Sequence, residues 1–214
     1  MGDVSSRAKS ILGNCRWVAC EDTREGAKLF SLMEIECPQL LSYHDQNEQR
    51  QTSKLIDILL AGNDVSLISD AGMPCISDPG FRVVRECRRL GIPVTAIPGP
   101  VAFTTALSIS GLPSNGCLFV GFLPPKTSAR CAFFQKYADF EYTLACYESC
   151  HRIEKFLNDL IATLGPDRVI CVARELTKIH ETVTSGPASS VLSIIAGKNK
   201  GEFVVLISPK TFQL

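Results

Sequence analysis

No stretch of the 214-residue chain is apolar for long enough to cross a membrane, which takes roughly 18 residues. Residues 1–20 also lack the charged, apolar and small-residue succession of a secretory signal. Neither sign of charge is in excess. The 22 Lys and Arg balance the 22 Asp and Glu, which argues against a broad basic surface spread over nucleic acid. There is no G-x-x-x-x-G-K-[ST] phosphate loop, no G-x-G-x-x-G after a strand and no G-x-S-x-G elbow. P-loop hydrolysis, a common dinucleotide fold and serine hydrolysis are therefore unsupported. Ten cysteines are present, but none forms a C-x-x-C, and the closest pair, Cys146 and Cys150, has no partner pair at zinc-finger spacing. They are scattered, and Cys20, Cys117, Cys146 and Cys171 lie inside apolar runs. That pattern reads as reduced, mostly buried thiols of an intracellular protein. His44, Asp45 and Glu48 are metal-ligand types, but no further ligands accompany them, so no metal is expected. Cys150 beside His151 is a weak nucleophile pair, because adjacent residues seldom point at each other.

What the chain has is an alternation of apolar runs and amphipathic segments. Strands are expected over Arg16–Cys20, Leu40–Tyr43, Val65–Ser69 and Val94–Ile97. Helices are expected from Thr23 to about Met33, over Glu48–Ala61, from Phe81 to Leu90, and from Val101 to Ser110. Each strand hands over to a helix, as in a parallel sheet covered on both faces. The rhythm breaks at Gly121-Phe122-Leu123-Pro124-Pro125, which with Lys126-Thr127-Ser128 reads as a linker. Beyond it follow a helix (Ala129–Asp139), a strand (Thr143–Tyr147), a helix (Ile153–Leu164), strands at Val169–Ala173 and near His180–Thr184, a helix (Ala188–Ala196) and a last strand (Glu202–Ile207). Two α/β domains are expected, residues 1–121 and 122–214, with a ligand cleft between them.

The richest segment is SDAGMPCISDPG, Ser69 to Gly80, placed directly after an apolar strand and before a helix. Ligands gather at the carboxyl ends of parallel strands, where glycine lets backbone approach closely. Other polar clusters also follow strand ends: Glu21-Asp22-Thr23-Arg24, His44 to Glu48, Tyr147 to Arg152, and Ala173 to Lys178. Singly these fit helix caps and surface charge; together they resemble an active-site mouth. Arg82, Arg85 and Arg89 recur along one helix at i, i+3 and i+7, as a solvated face or a local basic face would.

ACEDTR (19–24), HDQNE (44–48), SDAGMPCISDPG, IPGP (97–100), LSISGLP (107–113), GFLP (121–124), YESCHR (147–152), ARELTK (173–178) and KGEFVVLI (200–207) occur in order over nearly the whole chain. Together they resemble the bacterial-type small-subunit ribosomal RNA 2′-O-ribose cytidine methyltransferases of the tetrapyrrole-methylase superfamily. The resemblance implies a two-domain α/β fold of the class III S-adenosylmethionine methyltransferase type. It also implies S-adenosyl-L-methionine as cofactor, small-subunit rRNA or a 30S-like subunit as substrate, a homodimer and no membrane association. Carried onto this chain, it implies cofactor contacts at Asp70, Ala71, Gly72, Met73, Pro98, Gly99, Pro100, Val101 and Ala102. On the C-terminal side it implies contacts at Tyr147, Glu148, Ala173, Arg174, Gly201 and Glu202. Transfer to a 2′-hydroxyl needs a base, for which Glu21, Asp22, His44 and Glu48 are the candidates. Arg24, Arg82, Arg85, Arg89 and Arg152 suit phosphate contact, and Arg174 shares that chemistry.

One departure stands out. Family members begin with a strand and a Thr-Pro-Ile-Gly-Asn-type turn before the Gly-Asp that is here Gly2-Asp3, so the first strand of the fold is expected to be absent. The C-terminal extension of longer members is likewise absent after Leu214. An inactive member that binds RNA or a partner, and a methylase of a tetrapyrrole-like small molecule, stay open as alternatives. The cytoplasm is the expected compartment, or an organelle where a targeting segment precedes the chain.

Overall fold

The computed structural model describes residues 2–197 and 200–214. The chain divides into two compact units, Met1–Val101 and Ala102–Leu214.

The first unit runs α1 (Ser6–Asn14), β1 (Trp17–Cys20), α2 (Thr23–Met33), β2 (Gln39–Ser42), α3 (Glu48–Leu60), β3 (Val65–Leu67) and α4 (Phe81–Arg89). Its sheet has the order β2-β1-β3 and is parallel throughout. Side chains alternate across a strand, so β1 serves two cores. Val18 packs with Leu12, Phe30 and Met33 of α1 and α2. Ala19 packs with Tyr43, Leu55, Ile56, Val83 and Cys87 on the α3–α4 side. Asp22 starts α2 by accepting the Arg24 amide at 2.8 Å, which satisfies one of the unpaired donors of a helix start.

The second unit comprises α5 (Ala102–Ile109), β4 (Cys117–Phe122), α6 (Thr127–Lys136), β5 (Thr143–Ser149), α7 (Ile153–Leu164), β6 (Val169–Arg174), β7 (Thr182–Pro187), α8 (Ala188–Ile195) and β8 (Glu202–Ile207). The sheet order is β4-β5-β8-β6-β7. Only β4 and β5 run parallel; β8 is antiparallel to both β5 and β6, and β7 is antiparallel to β6. Alternation again divides the core. Leu144, Cys146, Ile170, Val172, Phe203 and Val205 meet the face of α6, α7 and α8, while Ala145, Cys171, Val204 and Leu206 meet α5 through Ala106.

Three expectations are corrected. The boundary lies after Val101, not at 121–122, because β4 is a strand of the second sheet and Phe103 of α5 stacks on Phe119 of β4 at 4.3 Å. The Pro-Pro segment is an internal bend and not a linker. Leu123 is in the core, and the buried Arg130 guanidinium donates to the Pro124 and Pro125 carbonyls at 3.2 and 3.4 Å. The expected strand Val94–Ile97 does not form: among the described residues it pairs with no ladder, although Ile92 and Val94 still pack on the α3–α4 core. The ten cysteines are free thiols, and among the described residues no helix is long and apolar enough to cross a membrane.

Arg130 also pairs with Asp159 of α7 and is fully buried. Removing one partner of a buried pair leaves the other uncompensated. Arg130→Ala is therefore expected to lower unfolding free energy by about 3–5 kcal/mol in urea denaturation, with Arg130→Lys intermediate.

Candidate active site

The three parallel strands of the first unit end side by side, and each hands its next residues to one edge. Glu21 follows β1, His44 and Asp45 follow β2, and Asp70 follows β3. The Glu21 carboxyl is held above its ordinary value of 4.5, first by burial and then by the negative charges of Asp70, Asp78 and Asp45, with His44 acting the other way. Glu21 and His44 are thus brought together, joined by three carboxylates. Asp45, read in the sequence only as a metal-ligand type, and Asp78, part of the Ser69–Gly80 loop, are absent from the candidate bases. The signal for both is their place directly after a strand or in the strand-end loop.

Asp22 has a different task. Its carboxylate caps α2 and accepts three bonds from the Arg24 guanidinium, the shortest at 2.6 Å. These bonds to Arg24 hold its pKa down to about 2. Its own amide donates to Asp70 Oδ1 at 3.3 Å, tying the end of β1 to the loop after β3.

Glu48 is a clamp. It begins α3, and its Oε1 accepts the Arg82 amide at 3.1 Å and the Tyr43 hydroxyl at 3.3 Å, while Oε2 faces Arg82 Nε at 3.4 Å. Burial pushes Tyr43 up to about 12, so its hydroxyl keeps its proton. The same oxygen accepts the Val83 amide at 3.3 Å. His44 is set by an Asn47 side chain that accepts its amide at 2.9 Å.

The loop after β3 folds against the turn at 98–100. Gly72 has φ +87°, and a Cβ there would come within 3.1 Å of the Pro100 carbonyl oxygen. A Cβ on Gly99 would come within 3.1 Å of Met73 Sδ. Gly72 and Met73 therefore lie against Pro100 and Gly99. Asp70, Ala71 and Gly72 are exposed, and Ser69 Oγ donates to the Gly72 carbonyl at 2.9 Å. At Gly80, φ is +138° and a Cβ would lie 2.5 Å from Cys75 Sγ, so only glycine closes the loop into α4. Val101 ends this unit.

In the second unit, Ala102 opens α5, and Tyr147 and Glu148 lie near the end of β5. Tyr147 meets Phe119 and Phe122 edge-on at 4.9 and 5.8 Å. Glu148 is buried. Its Oε1 accepts the Ser149 amide at 2.7 Å and the Arg152 guanidinium at 2.7–2.8 Å. Its Oε2 is buried and takes no hydrogen bond from the described residues, an acceptor that a ligand N–H or O–H would satisfy. Arg174, beyond Ala173, donates to the Lys200 carbonyl at 2.6 Å and so braces the start of β8. Gly201, at φ +101°, lets Glu175 close in; a Cβ would sit 2.5 Å from its Cγ. Glu175 Oε1 then accepts the Glu202 amide at 3.0 Å, and Lys178 bridges Glu175 and Glu202 at 3.0 Å each.

Of the candidate phosphate-binding arginines, Arg152 is tied to buried Glu148, and Arg24 to Asp22. Arg82, Arg85 and Arg89 share the solvent side of α4, with Arg82 facing Glu48 and Arg89 bound to Glu86 at 2.6 Å. Among the described residues no three His, Cys, Asp or Glu side chains converge as metal ligands.

Solved structures of the same fold define the class. The methyltransferase CobJ superposes with a TM-score of 0.70 at 16% identity, covering 100% of this chain and 91% of that one. A uroporphyrin-III-C-methyltransferase from Thermus thermophilus gives 0.63 at 16% identity, covering 98% and 89%. The fold is that of the tetrapyrrole methyltransferases. The profile of the Tetrapyrrole (Corrin/Porphyrin) Methylases matches residues 1–192, and the chain belongs to that family. Its relatives include proteins named Ribosomal RNA small subunit methyltransferase I. That of Xylella fastidiosa is 45% identical over 97% of this chain and 77% of its own length, that of Vibrio cholerae 42% over 97% and 73%, and that of Synechocystis 40% over 99% and 76%.

Two substitutions separate the roles on the first rim. A carboxyl whose pKa is raised in the folded state contributes stability below its ordinary value, and this is lost as pH rises through the raised one. Glu21→Gln is therefore expected to flatten the decline of the thermal midpoint above pH 4.5. Glu48→Ala, which frees Tyr43 and Arg82, is expected to cost about 1–3 kcal/mol at pH 7, read by the same thermal scans.

Proposed function

We propose that the chain is an S-adenosylmethionine-dependent methyltransferase that modifies a cytidine 2′-hydroxyl of small-subunit ribosomal RNA. The observation that carries this reading is 40–45% identity, over 97–99% of the chain, to proteins named for small-subunit rRNA methylation. By contrast, identity to the superposed methyltransferases CobJ and uroporphyrin-III-C-methyltransferase is 16%, which favours RNA over a tetrapyrrole as substrate. A homodimer, a 30S-like subunit as the substrate particle and a cytoplasmic location belong to the same proposal.

The residues fit the cofactor. When bound, S-adenosylmethionine supplies a methyl group on a positively charged sulfur. The carboxylates of Glu21, Asp45, Asp70 and Asp78 create a negative field suited to a cationic ligand. The exposed residues Asp70, Ala71 and Gly72, with Met73 and the turn Pro98-Gly99-Pro100-Val101, offer backbone amide and carbonyl groups at close approach. Ala102, Tyr147, Glu148, Ala173, Arg174, Gly201 and Glu202 are proposed cofactor contacts of the second unit, where the buried Glu148 Oε2 takes no hydrogen bond from the described residues.

Glu21 is the proposed base. Burial and the neighbouring carboxylates raise its proton affinity, which suits it to accept a proton. Asp22, held low by Arg24, is a poor one, and Glu48 is occupied by Tyr43 and Arg82. His44 opposes the rise in the proton affinity of Glu21. Arg82, Arg85 and Arg89 hold phosphates, aided by Arg24 and Arg152.

Titration calorimetry with S-adenosylmethionine, paired with methyl transfer to purified small subunits, tests this reading. Wild-type protein is expected to bind the cofactor and transfer the methyl group. Glu21→Gln is expected to bind it equally well but transfer about 100-fold more slowly or worse. No cofactor binding, or full-rate transfer by Glu21→Gln, would contradict the assignment.

A further inference from the structure

The surface of α4 holds a feature that the phosphate contacts do not use. Phe81, its first residue, is 65% exposed, the most exposed aromatic side chain among the described residues. The other exposed aromatics lean on neighbouring rings, Phe122 on Tyr147 at 5.8 Å and Tyr142 on Phe140 at 5.7 Å. The contact recorded for the Phe81 ring is the Arg85 guanidinium, 5.4 Å from its centroid. Helical spacing explains the pairing: positions 81, 85 and 88 form one stripe and 82, 86 and 89 the next, while Val83 and Cys87 face the core. The exposed stripes therefore carry one exposed ring and four arginines, with Glu86 the only acid on them.

We infer that Phe81, with Arg85 laid over its ring, is a stacking platform for an unpaired base of a single-stranded RNA segment. The inference rests on the RNA-directed reading above and adds to it a residue that takes the base and not the phosphate. An aromatic face and a guanidinium plane are the two surfaces on which splayed bases stack, and a cation over a ring holds both in place. The flanking Arg82, Arg88 and Arg89 supply the positive charge that a strand of phosphates requires. A protein partner of the same apolar area would meet four cations around one ring, a poor match unless it were acidic.

The platform is fixed to the candidate site. Phe81 directly follows the loop that carries Asp70–Met73, and the next residue is gripped through both its amide and its guanidinium by Glu48, four residues after His44. A base stacked on Phe81 is thereby held at a set position relative to the Glu21–His44 rim of the same unit.

Fluorescence anisotropy with a short labelled single-stranded RNA, and with the same sequence as a duplex, tests the platform in the full chain. Phe81→Ala is expected to weaken single-strand binding about ten-fold or more, leaving the salt dependence and S-adenosylmethionine affinity unchanged. Phe81→Trp is expected to restore binding, and Arg85→Gln to weaken it while lowering the salt slope. Because the ring is exposed, the thermal midpoint of Phe81→Ala is expected to match wild type. Wild-type affinity in Phe81→Ala, equal losses on single strand and duplex, or a change in sedimentation with RNA binding intact would overturn the inference. The last result would mark a self-association face. Failure of the wild type to bind single-stranded RNA would overturn it too, while methyl transfer to intact subunits reports separately on the enzyme reading.

Discussion

The carboxylate of Glu48 is the point on which the first unit turns. One side chain collects the Tyr43 hydroxyl from the end of β2, and the amide and guanidinium of Arg82 from the start of α4. It thereby sets the start of α3 against the start of α4 and, between them, the loop from Ser69 to Gly80. The bonds are charge-assisted and the carboxylate is largely buried, so they are stronger than ordinary surface pairs. His44 on one side and Phe81 on the other inherit their positions from it. Glu48, a candidate base in the sequence, is in the structure a clamp that fixes the positions of its neighbours.

Electrostatics then divide the unit. The ends of β1, β2 and β3 bring Glu21, Asp45 and Asp70 to one edge, with Asp78 from the loop, while α4 carries four arginines on its outer side. A net charge of zero over the whole chain conceals this separation. The acidic edge suits a cationic methyl donor and raises the proton affinity of Glu21, and the basic helix suits a polyanion. Neighbouring Glu21 and Asp22 show how local bonding decides role. Burial and like charge push the first up, and a forked Arg24 holds the second down.

Much of this was legible in the sequence. Apolar runs and helical spacing located β1, β2, β3, β5, β6, β8 and most helices, because those signals are local. The failures were non-local. Val94–Ile97 has strand composition, but a strand needs a free ladder beside it, and none takes it up among the described residues. The Pro-Pro pair reads as a linker unless one knows that Arg130, five residues on, is buried and takes both proline carbonyls. In the site, glycine in SDAGM and IPGP pointed to close backbone approach, but that Gly72 approaches Pro100 and Gly99 approaches Met73 is a tertiary fact. The choice among Glu21, Asp22, His44 and Glu48 depended on hydrogen bonds that spacing does not reveal, and Phe81 carries no motif at all.

The proposed activity is methylation of a cytidine ribose in small-subunit RNA. Its most direct test is mass-spectrometric mapping of small-subunit RNA, taken from unmodified subunits and incubated with the protein and S-adenosylmethionine. The account predicts one added methyl group, on the 2′-oxygen of a single cytidine. Methylation of a base, or RNA left unchanged by protein that binds the cofactor, would contradict it.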